Sequence, residues 1–245
     1  MQLERFIGMA RKPEAVLITG GAKRLGLQFA RKALEMGYAV IIHYRSTCSK
    51  ECLKLLKSAA YKDLVYFIKQ DLEFSADNLI DKSLELPVTL RGLVNNASTF
   101  SKGNLKNPDN LEEILNINTI APIRLATRFY ELVRKGWIIN ITDANIKRPN
   151  INFQNYRISK LFLEEITHQQ AFLFAPSIRV NAIAPGAMLP ADSESRQYFN
   201  SLSVKIPLAR TGDLSSLTDA FAFLVNTPYV TGEVIKVDGG WNLTA

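Results

Sequence analysis

Histidine and cysteine are scarce, with two of each in 245 residues. His43 and His168 are far apart, and Cys48 and Cys52 stand four apart with no third or fourth ligand nearby, so neither a metal site nor a disulfide framework is expected. Two ordinary thiols suit a reducing compartment, and a cytoplasmic protein is expected. No apolar run has the length of a membrane span, and Met1 to Glu14 carries charges instead of the apolar stretch of a signal peptide. The chain has no repeat, no composition shift and no Ser/Pro/Gly-rich linker, so residues 1–245 are read as one domain. The net charge is +7, yet no four basic residues are adjacent, and zinc-finger spacing and aromatic RNA-binding motifs are absent. Nucleic acid is therefore not the expected partner. The positive surplus instead suits an anionic small molecule such as a phosphorylated cofactor.

Hydrophobic residues make up 47% of the chain, enough for a sizeable core, and they come in short runs separated by amphipathic stretches. Strands are expected at Ala15 to Thr19, Tyr38 to His43, Leu64 to Ile68, Gly92 to Asn95, Trp137 to Thr142, Ile178 to Ile183 and Val234 to Val237. Between them the pattern predicts helices over Leu25 to Met36, Ser49 to Ala60, Ala76 to Leu86, Leu111 to Arg134, Tyr156 to Phe174 and Leu214 to Val225. The alternation specifies an α/β, single-domain Rossmann fold: a doubly wound parallel sheet of about seven strands with helices on both faces. Ligands of such sheets sit at the carboxyl ends of the strands. The loops at 144–155 and 187–210 are left unassigned.

The first strand runs into Thr19-Gly20-Gly21-Ala22-Lys23-Arg24-Leu25-Gly26. A glycine-rich turn opening a helix lets backbone N–H groups and a helix N-terminus converge on a phosphate, where a Cβ would clash. Gly20, Lys23, Arg24, Leu25 and Gly26 are the candidate contacts there. After the second strand stand His43, Tyr44, Arg45 and Ser46, with no carboxylate until Glu51. An NAD site would place Asp or Glu here to hold the ribose hydroxyls; a guanidinium and a hydroxyl suit a 2′-phosphate, so NADP (as NADPH) is the expected cofactor. His43, Arg45 and Ser46 are assigned to it. Asp71 is assigned to the adenine edge and Asn95 and Ala97 to the floor of the ribose pocket, with Leu72 and Ser98 as further cofactor contacts.

Tyr156 and Lys160 are four apart on a predicted helix and share a face. A phenol is a poor acid at neutral pH, and a nearby ammonium is expected to lower its pKa and make it a usable proton donor.

With these motifs in place the sequence resembles the short-chain dehydrogenase/reductase family from about residue 15 to 243. The resemblance rests on Thr19-Gly20 to Gly26, Asn95-Asn96-Ala97, Asn118, Tyr156 with Lys160, and Pro185-Gly186. It implies that Lys160 also bonds the nicotinamide ribose, that Asn118 holds a water in a proton relay, and that Pro185 and Gly186 border the nicotinamide. The usual Thr-Gly-x-x-x-Gly-x-Gly has Arg24 at its middle glycine, Ser98 stands where Gly is usual, and Asp143 replaces the usual catalytic serine thirteen residues before the tyrosine. These departures are similar to those of the pteridine reductases, which also share His43-Tyr44-Arg45-Ser46 and Asn95 to Phe100. The segment after the second strand is one residue shorter than in that group, and 187–210 lacks a threonine that many relatives use.

The resemblance implies an NADPH-dependent reductase of a pterin or dihydrofolate-type C=N bond, with Tyr156, Lys160, Asp143 and Asn118 as catalytic residues. Arg24, Ser98, Phe100, Asp143 and Tyr156 are the expected substrate contacts. Phe100 is expected to stack on the flat pterin ring opposite the nicotinamide. Two other readings stay open: a reductase of a 3-oxoacyl thioester or other ketone, and an NADP-binding regulatory protein with little turnover. The family resemblance also implies a homo-oligomer, a tetramer through the two long helices.

Overall fold

The computed structural model describes residues 12–56, 58–147, 149–191 and 194–244. Most of the Met1 to Glu14 segment, and Arg148 in the 144–155 loop, lie outside these residues.

Seven strands form one parallel sheet in the order β3-β2-β1-β4-β5-β6-β7. They are β1 (Glu14–Ile18), β2 (Ala39–Tyr44), β3 (Val65–Lys69), β4 (Thr89–Asn95), β5 (Gly136–Ile141), β6 (Ile178–Pro185) and β7 (Val234–Val237). The order reverses between β1 and β4, whose register pairs Leu17 with Leu93 and Ile18 with Val94. At such a switch point the chain leaves the sheet in opposite directions from neighbouring strands, which opens a crevice at their carboxyl ends. The doubly wound α/β architecture is thus as the sequence reading specifies.

Both sheet faces are covered. Side chains alternate along each strand, so β1 sends Val16 and Ile18 into one core and Ala15 and Leu17 into the other. The first core packs under α1 (Arg24–Glu35) and α9 (Leu214–Asn226), where the Phe29 and Phe221 rings meet at 5.5 Å. The second packs under α4 (Asn78–Leu84), α6 (Ala121–Val133) and α7 (Gln154–Phe174). Strands buried on both sides are apolar throughout, which is why they read so clearly in the sequence.

The irregular parts differ from the sequence expectation. Leu111 to Arg134 is not one α-helix: α5 (Leu111–Leu115) passes into a wider π-helical turn, Asn116–Ile120, and only then into α6. Pro122 is the second residue of α6, directly after the π-helical turn, and has no N–H to give to a carbonyl of that turn. The expected Ser49 to Ala60 helix is shorter, α2 (Lys50–Leu56) followed by a 3₁₀ turn at Ala59–Tyr61. A one-turn helix, α3 (Leu72–Ser75), precedes α4, and β4 begins three residues before Gly92. In 187–210 the chain forms α8 (Arg196–Ser201) and a 3₁₀ turn, Leu202–Lys205. Its polar residues and Ser195 cap carry no strong apolar period.

Candidate active site

The crevice is a cleft of about 600 Å³ that adjoins a smaller cavity of about 170 Å³; Gly20, Lys23, Ala97 and Ser98 border both. Its floor is built by Thr19 and Asn96. The Thr19 hydroxyl donates to the Val94 carbonyl and accepts from the Asn96 and Ala97 N–H groups, locking the ends of β1 and β4 together. The Asn96 amide donates to the Thr19 and Gly20 carbonyls at 2.9 and 3.2 Å and so holds the glycine-rich turn open. Gly20 has φ +60°, and a Cβ on Gly26 would lie 2.4 Å from the Gly20 carbonyl oxygen, so both positions need glycine. Arg24 takes the left-handed φ of +51° where the family pattern has a glycine; the backbone shape is kept, and the side chain reaches across the cleft to the Pro190 carbonyl at 2.8 Å.

The sequence reading placed His43 among the cofactor contacts, and the structure places it in the lining of the smaller cavity with both ring nitrogens engaged. The Gly20 N–H donates to His43 Nδ1, which leaves the proton on Nε2, 2.9 Å from the Gln70 carbonyl that accepts it. Burial lowers the His43 pKa and keeps the ring neutral. His43 thus borders the smaller cavity as a brace. The Gly21 N–H is also engaged, by the His43 carbonyl. The N–H groups left to face a phosphate are those of the first turn of α1, because Lys23 makes no side-chain cap there.

Arg45, Ser46, Asp71 and Leu72 line the smaller cavity. Asp71 is already in use: one carboxylate oxygen caps α3 by accepting the Glu73 N–H. Arg24, Leu25, Gly26, Phe100, Pro185 and Gly186 line the larger cleft together with Asp143, Tyr156 and Lys160.

Asn95 and Asn118 border neither cavity. Asn95 is a correction of register. It lies on the same side of β4 as Leu93, under α7, and its amide donates to Asn140, which donates to Thr167. The neighbour Asn96 takes the pocket role, and the period of two along β4 was the signal that separates them. The Asn118 side chain is engaged within the fold. Its oxygen accepts the Thr99 N–H, and its amide donates to the Thr99 carbonyl and to Ser159 Oγ. From the π-helical turn it ties the loop carrying Phe100 to the helix carrying Tyr156.

At the inner end of the cleft Tyr156 Oη donates to Asp143 Oδ2 at 3.1 Å, while Asp143 Oδ1 accepts the Asn145 N–H at 2.7 Å. Lys160 Nζ donates to the Ile141 carbonyl at 2.8 Å and lies 5.9 Å from the centre of the Tyr156 ring. Burial pushes the lysine down to about 8, against the attraction of Asp143. Burial also raises the Asp143 pKa. The Tyr156 pKa is raised, contrary to the expected lowering by Lys160: desolvation and the Asp143 carboxylate both oppose a phenolate. The group is therefore a neutral phenol holding its proton. Phe100 meets the Tyr156 ring edge-on at 4.8 Å and stacks one face on Phe153 at 4.5 Å. Phe153 was missed in the sequence, where the 144–155 loop has no regular pattern; Arg157 secures that loop through the Asn145 and Ile146 carbonyls.

Comparison with known proteins gives a consistent set. A family model described as enoyl-(acyl carrier protein) reductase matches residues 20–242. Pteridine reductase 1 of Leishmania tarentolae is 29% identical, covering 96% of this chain and 99% of that protein. Dihydromonapterin reductase of Enterobacter sp. (strain 638) is 29% identical, covering 92% and 95%. The crystal structure of FolM alternative dihydrofolate reductase 1 from Brucella suis, in complex with NADP, superposes with a TM-score of 0.87 at 28% identity, covering 94% of this chain and 96% of that one.

Proposed function

The chain belongs to the short-chain dehydrogenase/reductase family, and from that premise we propose that it is an NADPH-dependent reductase of a C=N bond in a pterin or dihydrofolate-type substrate. The observation that carries the reading is the Asp143–Tyr156 hydrogen bond beside Lys160 in a cleft walled by Phe100. A carboxyl in that place is suited to moving a proton towards a ring nitrogen, whereas a serine hydroxyl mainly polarises a carbonyl oxygen. The similarity to proteins named pteridine reductase, dihydromonapterin reductase and alternative dihydrofolate reductase supports the same substrate class.

The residues fit NADPH. The uncapped first turn of α1 and the Lys23 and Arg24 side chains suit the pyrophosphate. Arg45 and Ser46 suit a 2′-phosphate at the smaller cavity. Asp71, Leu72, Ala97 and Ser98 then border the adenosine, and Lys160, Pro185 and Gly186 the nicotinamide. When bound, the cofactor supplies the hydride to the carbon of the C=N bond. Tyr156 Oη gives its proton to the nitrogen. Asp143, protonated more readily than an exposed carboxyl, takes up a proton from solvent and passes it to Tyr156 Oη, and the Lys160 ammonium steadies the charge in between. Arg24 and Ser98 hold the polar edge of the substrate, and the open face of Phe100 packs on its ring. Asn118 acts through the Thr99 loop and Ser159.

We take residues 1–245 as one NADP-binding domain, on the support of one sheet running from residue 14 to 237. Among the described residues no helix is long and apolar enough to cross a membrane. A cytoplasmic setting is supported by two free thiols.

The test is loss of NADPH absorbance with dihydrobiopterin, dihydrofolate and an acetoacetyl thioester in parallel, with NADH as control. Turnover of a pterin or folate with NADPH is expected. Turnover of the thioester alone would leave only the fold and the hydride chemistry standing. Tyr156→Phe is expected to lose about 10²- to 10⁴-fold in kcat while NADPH binding is kept. Unchanged turnover in that variant would remove the tyrosine from the mechanism.

A further inference from the structure

The outer wall of the cleft is formed by the segment after β6, and its side chains are not used by the mechanism above. Tyr198, Leu202 and Lys205 are spaced by four and three residues through α8 and the 3₁₀ turn, which places them on one face, and all three line the cleft. Leu202 is buried and Tyr198 half-exposed, so the wall offers an aromatic and an aliphatic surface before ending in an ammonium.

The charges of the cleft show which cation at its outer wall is available to a substrate tail; Lys23 stands at the glycine-rich turn, on the pyrophosphate side. Lys160 is bound to the Ile141 carbonyl, Arg24 to the Pro190 carbonyl and Arg157 to the 145–146 carbonyls. The described acids lining the cleft are Asp143 and Glu194. Glu194 is held by the Ala191 N–H. Lys205 Nζ makes no ion pair among the described residues. The lysine backbone is anchored separately, through its carbonyl and the Thr244 hydroxyl, so the exposed side chain can be changed without disturbing the turn.

We propose that Tyr198, Leu202 and Lys205 form a subsite for a substrate tail that is aromatic near the ring and anionic at its end, so that the enzyme favours dihydrofolate-type substrates over pterins with short neutral side chains. The inference rests on the reductase reading for the inner half of the cleft. A short hydroxylated side chain would leave the apolar wall and the ammonium unused. An aryl group ending in carboxylates covers the wall with apolar surface and places negative charge at Lys205. The contact is exposed, so its effect is moderate and salt-dependent.

The experiment compares wild type, Lys205→Ala and Lys205→Glu on three probes: dihydrofolate, dihydropteroate (which lacks the glutamate) and dihydrobiopterin. KM is measured with saturating NADPH, and Kd by titration of the NADP⁺-loaded protein. For dihydrofolate, Lys205→Ala is expected to raise KM and Kd roughly three- to fivefold, and Lys205→Glu about tenfold, with kcat unchanged. The dihydrobiopterin constants should stay within about twofold, and raised salt should erase the difference between wild type and Lys205→Ala. Dihydrofolate constants untouched by Lys205→Glu, or dihydrofolate binding no tighter than dihydropteroate, would overturn the subsite while leaving a reductase that turns over pterins. Absence of turnover on all three overturns the reductase reading, and the Kd series then still decides the subsite.

Discussion

At the scale of single residues the site is organised by a conflict between burial and charge. Asp143, Tyr156 and Lys160 share one low-dielectric pocket, and each is pushed towards its neutral form. For Lys160 the sign is clear. Its pKa falls from the usual 10.5 to about 8 on folding, so below about 8 the native state holds a charge that burial disfavours. That cost to stability is fully present below about 8 and fades as the pH rises from there towards 10.5, where the unfolded lysine is also neutral. The stability of the wild type relative to Lys160→Met, from denaturant titrations between pH 7 and 10, should therefore increase with pH. A flat difference would show that the ammonium is better solvated than its position indicates. Function runs the other way, because the charged form steadies the phenolate. We expect kcat/KM for NADPH, which reports the free enzyme, to fall above about pH 8. A residue that weakens the fold and serves the chemistry is what a strained site leads one to expect.

At the scale of elements, the strand ends do the positioning, and two of them can be tested separately. Asn96, at the end of β4, holds the turn after β1 through two carbonyls. Asn96→Ala removes both bonds and leaves partly buried acceptors, so a loss of about 1–3 kcal/mol is expected, with a weakened NADPH Kd. Thermal unfolding and fluorescence titration measure the two, and an unchanged Kd would mean the turn keeps its shape unaided. Arg45, at the end of β2, bears on the choice of cofactor. Arg45→Asp is expected to raise the NADPH Kd about 10- to 100-fold and leave NADH within a few-fold, since a charge-assisted contact to phosphate is lost only for the former. Equal losses for both cofactors would place Arg45 outside the 2′-phosphate site.

The same elements show what was legible beforehand. Buried parallel strands announce themselves by apolar runs, and the residues at their ends were identified with them. What escaped depends on direction or on local hydrogen bonding. Asn95 and Asn96 are the same residue type, and only the pleat of β4 decides which faces the cleft. Asp71 and His43 line the smaller cavity, and the hydrogen bonds they accept from the Glu73 and Gly20 N–H groups were not legible beforehand. The π-helical turn at Asn116–Ile120 and the short α8 have no period of their own to read, because their shape comes from packing on α7 and from a single Ser195 cap.

At the scale of the whole molecule, the outer face of α7 remains to be explained. Phe162, Phe172 and Leu173 are exposed there, separated by the polar Glu165, His168 and Gln169. Beside them Tyr130 of α6 stacks on Phe174 at 4.6 Å. A solvent-facing helix with apolar groups at both ends and polar ones in the middle suits antiparallel pairing with its own copy. A twofold axis on the outer face, level with residues 167 and 168, would bring Phe162 of one chain to Phe172 and Leu173 of the other, and the polar centres together. Such a symmetric contact buries apolar surface that a monomer would leave in water. We propose that the expected homo-oligomer contains this pair. Phe172 is 83% exposed, so Phe172→Glu should leave the fold intact and lower the assembled mass by breaking the α7 contact. Light scattering on a sizing column reads the mass, and the NADPH assay shows whether each chain still works. A wild type that elutes as a single chain at micromolar concentration, or a Phe172→Glu variant with undiminished mass, would take α7 out of the assembly and leave its aromatic face without a partner of its own kind.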